Sequence, residues 1–154
     1  MLTVTRNHSI SAAHRLFDYN GTCERLHGHN YMLEITLGSS KLDKQGMVLD
    51  FAKIKSLLLS KLDALWDHRT LLYDQDPLCA QLQALLEDGS VCPVPFNPTA
   101  ENMARYLGEE LFPSLLAKAQ ADQLTDQLTV ERITVYETEN NSATWRRNDD
   151  ASCQ

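Results

Sequence analysis

The sequence predicts an α+β fold in the order ββααββ. Three observations predict it. Two apolar alternations fill the first 37 residues, two stretches with three-to-four spacing occupy the middle, and a further alternation returns near the C-terminus. A chain of 154 residues is long enough to bury roughly two thirds of its unfolded surface around one core, so a single domain is expected over residues 1–148. Residues 149–154 are expected to be a disordered tail.

The first strand is read from "LTVTRNHSISAAH", where Leu2, Val4, Ile10, Ala12 and His14 share one face and Arg6 and His8 interrupt it. A second strand follows, with His29, Tyr31, Leu33, Ile35 and Leu37 inward and Asn30, Glu34 and Thr36 outward, ending at Gly38-Ser39-Ser40. Asp50 can cap a helix whose stripe is Phe51, Ile54, Leu58, Leu62 and Leu65 and which stops near Asp67-His68. A short helix is expected from Pro77 to Glu87, then a proline-bearing loop, "VCPVPFNP", without regular structure. Thr99 can cap the second main helix, through about Ala119, with Met103, Leu107, Leu111 and Leu115 as its stripe. Finally "ERITVYET" places Ile133, Val135 and Glu137 on one face, and "SATWRR" reads as a short last strand.

The formal net charge of −7, with no basic stripe or cationic tail, speaks against nucleic-acid or anionic-membrane binding. An anionic small substrate would need only a few local cations, and Arg25 and Arg69 lie beside the residues of interest. No apolar run approaches the ~18 residues of a membrane span, and the N-terminus does not read as a leader, so the protein is expected in the cytoplasm. Cys23, Cys79, Cys92 and Cys153 form no CxxC pair, and no structural disulfide is expected.

The segment "CERLHGHNY" concentrates the chemistry. His27 and His29 are two apart, so both imidazoles project from one face if the strand begins by residue 27. Antiparallel pairing with the first strand would bring His14 beside them, giving three neutral nitrogen ligands suited to Zn²⁺ with a fourth position open. The competing reading is that these are ordinary hydrogen-bonded or surface histidines. His8 lies six residues from His14, about 20 Å along a strand, and cannot ligate the same ion. Cys23 admits two roles. It could complete a closed Cys-His₃ structural site, or stand apart as a thiolate base.

Asp67-His68 is either a carboxylate-oriented imidazole for acid-base work or a helix-terminal pair in a solvated loop. Glu101 would be explained by the helix dipole alone, as the second residue after the Thr99 cap. Glu137 is harder to explain. It continues an apolar face, where an ionised group is costly unless bound to something, and a ligand edge with two N–H groups would satisfy it.

Taken together, "SAAH" ending in His14, "CERLHGHNY", "MVLDF", the Asp67-His68 pair, "NPTAEN" with Glu101 and "VYET" with Glu137 resemble the 6-pyruvoyl-tetrahydropterin synthase and 6-carboxy-tetrahydropterin synthase superfamily, of the tunnelling, or T-fold, architecture. The resemblance implies a four-stranded antiparallel sheet with two main helices on one face, sheets joining into a barrel, and a homohexamer built as a dimer of trimers. It implies His14, His27 and His29 as zinc ligands, Cys23 as catalytic base, Asp67 and His68 as proton-transfer partners serving a neighbouring subunit, and Glu101 and Glu137 as pterin-binding residues. The Cys-x3-His-Gly-His spacing resembles the carboxy branch of the queuosine, or 7-deazaguanine, pathway. That branch converts 7,8-dihydroneopterin triphosphate to 6-carboxy-5,6,7,8-tetrahydropterin, acetaldehyde and triphosphate. The alternatives are the pyruvoyl-forming lyase and, from a different class, a non-catalytic zinc-stabilised pterin-binding module. The chain departs from compact members in the length of the segment from Tyr73 to Asn97, in Trp66, and in the region after Glu137.

Overall fold

The computed structural model describes residues 1–122 and 127–148; the expected tail and Cys153 lie outside them. The core of the sheet is four antiparallel strands: β1 (Leu2–His14), β2 (His27–Ser39), β5 (Thr129–Thr138) and β6 (Asn141–Arg146). β1 and β2 pair along their whole length, from Leu2 opposite Ser39 to His14 opposite His27. Alternation sorts their residues as expected: Ile10, Ala12, Tyr31, Leu33, Ile35, Leu37, Ile133 and Val135 are buried under the helices. The reverse face carries Thr, Ser, Asn and Arg.

Two short strands extend this core. β3 (Arg69–Tyr73) joins the end of β1 in parallel at Ala12–His14, and β4 (Val91–Val94) pairs in parallel with β3, giving the order β4-β3-β1-β2-β5-β6. Part of the expected loop "VCPVPFNP" is therefore strand. Pro93 is tolerated there because β4 is an edge. Between β3 and β4 runs α2 (Pro77–Leu86), capped by Asp76, whose carboxylate accepts from the Leu78 N–H.

Both main helices lie on the inner face, and each contains a π-helical turn. α1 comprises Phe51–Ile54, Lys55–Leu59 and Ser60–Trp66, with Asp50 accepting from the Ala52 N–H as its cap. Its buried residues Ile54, Leu58, Leu62 and Trp66 are each four apart. Four residues on a 3.6-residue helix overshoot a turn by about 40°, and the wider π turn takes up that drift. Leu59 and Trp66 thus replace the expected Phe51 and Leu65, which are 50% and 41% exposed.

α3 repeats the device as Ala100–Tyr106, Leu107–Leu111 and Phe112–Ala121. Its stripe passes from Met103 and Leu107 to Phe112, Leu116 and Ala119, leaving Leu111 and Leu115 only half-buried. Pro113, which cannot donate to the ladder, is the second residue after the π turn. Gly108 within that turn lets the Trp145 indole of β6 lie against the helix; a Cβ there would fall 2.2 Å from the ring. Trp145 Nε1–H donates to Glu109 Oε1 at 2.9 Å and completes the docking of β6. No helix among the described residues is long and apolar enough to cross a membrane.

Candidate metal centre and pocket

The β1–β2 register brings three imidazoles together. His14 is opposite His27, His29 is opposite Ala12, and one ring nitrogen of each histidine lies within 4.8 Å of the other two. His14 Nδ1 donates to the Pro98 carbonyl at 2.7 Å and His27 Nδ1 to the Arg25 carbonyl at 2.7 Å. In neutral rings those bonds leave both Nε2 atoms as bare lone pairs, yet they face each other at 3.1 Å. His29 Nε2 is buried with no protein partner.

Burial, only partly opposed by the Pro98 carbonyl, lowers the His14 pKa to about 4, with His27 and His29 pushing the same way. Burial also lowers His29, with Glu137 opposing it. At neutral pH His14 and His29 are therefore uncharged donors rather than cations. Three converging imidazole nitrogens fit a zinc-type ion, and at His14 and His27 the carbonyls on the second nitrogen fix the tautomer as an outer shell would. His8, as its distance along the strand requires, is engaged elsewhere, bonded to Asp63 at 2.5 Å.

A cavity of about 270 Å³ opens beside His14, lined among others by Tyr19, Cys23, Glu101, Glu137 and Asn141. Cys23 sits in the 3-10 turn Thr22–Glu24, tied down by Leu16 N–H donating to the Cys23 carbonyl at 2.9 Å. Cys23 does not belong to the three-histidine cluster. Cys23, Cys79 and Cys92 are free thiols. Glu101 is in the first turn of α3, capped by Thr99, whose hydroxyl accepts from the Asn102 N–H. Glu137 enters from β5.

The loop carrying Tyr19 and Cys23 is held from the long 73–97 segment. Arg15 makes a bidentate pair with Asp76 at 2.6 Å for both bonds, and the Asp76 side chain is 1% exposed. The Arg15 hydrogen bonds hold the Asp76 carboxyl below the usual carboxylate range. The Asn97 amide pairs with the Phe17 backbone like a strand, accepting its N–H at 2.8 Å and donating to its carbonyl at 2.7 Å.

Tyr31 was read from the sequence as a core residue, and its ring is indeed fully buried, edge-on to His14 and His29. Its hydroxyl, however, has no hydrogen-bond partner among the described residues, and burial, then the charges of Glu137 and Cys23, push its pKa up. The register Met32 opposite Tyr136, continued by one, sets Tyr31 beside Glu137. Its parity with His27 and His29 is the signal that could have assigned it to the site.

Asp67 and His68 do not line this cavity. Asp67 Oδ1 accepts from the Ser11 N–H at 2.8 Å, the His68 N–H donates to the Ser11 carbonyl at 2.7 Å, and His68 Nδ1 donates to Asp67 Oδ2 at 2.8 Å. The Ser11 amide, with help from His68, keeps the Asp67 carboxyl below its ordinary range. The His68 side chain is 80% exposed. It lines a different cleft, of about 450 Å³, with Ser11, His29, Asn30, Arg69 and Thr70, so this cleft touches one member of the histidine cluster. Ser11 and Asn30 are bonded to each other on the face opposite the histidine cluster.

A family model described as 6-pyruvoyl tetrahydropterin synthase matches residues 3–148. A 6-carboxy-5,6,7,8-tetrahydropterin synthase of Rickettsia typhi is 36% identical over 140 residues, spanning 91% of this chain and 96% of that protein. The solved 6-pyruvoyl tetrahydropterin synthase of Caenorhabditis elegans superposes with a TM-score of 0.64 at 28% identity, covering 96% of each chain. An uncharacterised Wolinella succinogenes protein superposes at 0.77 with 22% identity, over 96% of this chain and 98% of that one, a likeness of fold.

Proposed function

The chain belongs to the 6-pyruvoyl tetrahydropterin synthase family, and we propose that it is a zinc-dependent 6-carboxy-5,6,7,8-tetrahydropterin synthase acting on 7,8-dihydroneopterin triphosphate. The observation that carries the reading is the pair of Nε2 lone pairs facing at 3.1 Å beside a cavity lined by Cys23, Glu101 and Glu137. Two acceptors in van der Waals contact, one of them buried, are unfavourable by themselves and make sense as ligands. The choice of the carboxy branch is supported by the 36% identity to the Rickettsia protein and by the three-residue gap between Cys23 and His27.

His14, His27 and His29 would hold the zinc, which supplies Lewis-acid polarisation of the substrate's side-chain hydroxyls. Cys23, at the cavity wall, removes and returns a proton at the adjacent side-chain carbon. Glu137 accepts two parallel hydrogen bonds from the pterin N–H edge, which fixes the ring and relieves the cost of a carboxylate on an apolar face. Glu101 binds the same ring from the first turn of α3.

Asp67 and His68 do not line their own chain's cavity and would serve the next subunit, His68 carrying the second proton with Asp67 fixing its orientation. Two edges left unpaired among the described residues support such an assembly: the outer edge of β6, and β1 from Leu2 to Ile10, below Ser11, whose backbone Asp67 and His68 already bond. Joining the β6 of one copy to the β1 of the next in antiparallel fashion continues the sheet and removes both edges. Three copies would close a barrel and two rings would stack. The product enters 7-deazaguanine synthesis in the cytoplasm.

The test is a product analysis of the zinc-loaded protein with 7,8-dihydroneopterin triphosphate. Carboxytetrahydropterin with matching acetaldehyde, lost in Cys23→Ala, is the expected result. A pyruvoyl product without acetaldehyde would assign the sister activity, and no turnover with zinc retained would assign a binding module.

A further inference from the structure

Among the described residues, the cavity that holds Cys23, Glu101 and Glu137 has no Lys or Arg in its lining. Its two carboxylates suit the N–H edge of a pterin and repel a polyphosphate. Arg15 is occupied by Asp76. The anionic end of the substrate therefore needs a cation from elsewhere.

The strand topology says where. In the β1-β2-β5-β6 order the strands alternate in direction, so the start of β6, at Asn141, lies at the same end of the sheet as His14 and His27. Asn141, Ser142 and Ala143 also line the cavity. If β6 joins the free edge of a second copy's β1, it runs antiparallel to it, and its Asn141 end reaches the top of that edge. At that point β3 forks away, with the His68 N–H bonded to Ser11 and Arg69 opposite Ala12.

The cleft at the fork has the chemistry the cavity lacks. Arg69 is a permanent cation, tethered through Nη1 to the Gly89 carbonyl with its other N–H groups uncommitted to any bond described for the chain. Ser11, Thr70 and His68 line the same cleft, which reaches His29 of its own histidine cluster but none of the residues that line the Cys23–Glu137 cavity. Within one chain the cleft and the Cys23–Glu137 cavity share no lining residue, whereas joining β6 to the neighbour's β1 edge would bring the Asn141 end of the cavity to the fork.

We infer that Arg69, supplied by the neighbouring copy, is the cation that binds the polyphosphate end of the substrate. This inference rests on the pterin-triphosphate reading above. It adds a specificity residue, since Arg69 would separate the triphosphate ester from the free pterin alcohol.

The test measures binding of inorganic tripolyphosphate and, separately, of phosphate-free neopterin to the assembled zinc protein, then repeats both with Arg69→Gln, Arg69→Lys and, as comparator, Arg25→Gln. The expected result is about tenfold or more weaker tripolyphosphate binding in Arg69→Gln, partial recovery in Arg69→Lys, no change in Arg25→Gln, and unchanged neopterin binding throughout. Tripolyphosphate binding that survives Arg69→Gln overturns the inference and leaves the pterin reading intact. Failure of the unmodified protein to bind neopterin overturns the pterin reading itself.

Placement in the neighbour is tested by co-expressing Arg69→Gln with Cys23→Ala. Mixed assemblies contain sites with both an intact Cys23 and an intact Arg69 only if the two come from different copies. Activity above that of either variant alone supports the inference, and its absence in verified mixed assemblies overturns the placement in trans.

Discussion

His14 and His27 face each other on the last rung of the β1–β2 ladder with their Nε2 atoms 3.1 Å apart, each ring locked by a backbone carbonyl at Nδ1. Neither ring can rotate away without giving up a hydrogen bond. The contact is thus a preformed, repulsive arrangement that an ion converts into an attractive one.

Removal of metal should accordingly lower the melting temperature, and zinc should restore it. With free zinc a hundredfold above its dissociation constant the stabilisation is about 2.7 kcal/mol. Calorimetry of chelated and reloaded protein, with metal analysis, checks this. His14→Ala should abolish the zinc-dependent part.

Cys23→Ala should reduce turnover by roughly 10²–10⁴-fold if the thiol is an acid-base group, while zinc content stays at the unmodified level. The cobalt-substituted protein should then lack an intense thiolate charge-transfer band. A band present in the unmodified protein and absent from the variant would instead make Cys23 a ligand.

Tyr31→Phe removes a buried hydroxyl that has no partner, so stability should be unchanged or raised rather than lowered. Urea denaturation of the metal-free protein measures it. A loss above about 1 kcal/mol would mean that the hydroxyl is bonded in the folded chain.

Asp76 gives a pH signature. Its carboxyl is held below its ordinary value by Arg15, so the stability it contributes is complete above that ordinary value and is lost as pH falls through the lower, folded-state value. Asp76→Asn should cost about 1–3 kcal/mol at neutral pH and flatten the acid limb of the stability curve below about pH 5. Urea midpoints across that range check both effects.

Gly108→Ala should displace β6, because the added carbon would overlap the Trp145 ring. A cost of about 1–3 kcal/mol is expected, with altered fluorescence from Trp145. Since Asn141, Ser142 and Ala143 line the cavity, KM should rise as well.

Much of the site was legible because alternation is a short-range code. The parity of His14, His27 and His29, with one antiparallel pairing, suffices to converge three rings, and the caps Asp50 and Thr99 announce themselves by position. The π turns were not legible, since Leu59, Phe112 and Trp66 become core residues only after a backbone irregularity that sheet packing selects. Nor were Arg15 with Asp76 or Phe17 with Asn97. Polar partners 61 and 80 positions apart leave no periodic trace. β4 was hidden by its proline, which argues against a strand everywhere except at an edge.

Those two distant clamps bear on how the chain could be re-engineered. The segment between Tyr73 and Asn97 looks like a removable ornament, yet it is fastened at both ends to residues one and three positions beyond His14. A shorter hairpin borrowed from a compact relative would leave Arg15 without a counter-ion and the Phe17 peptide groups without partners. Transplantation would then succeed only if the loop from Arg15 to Cys23 were exchanged along with it, so the two pieces form a single unit of inheritance despite the 49 residues of intervening chain.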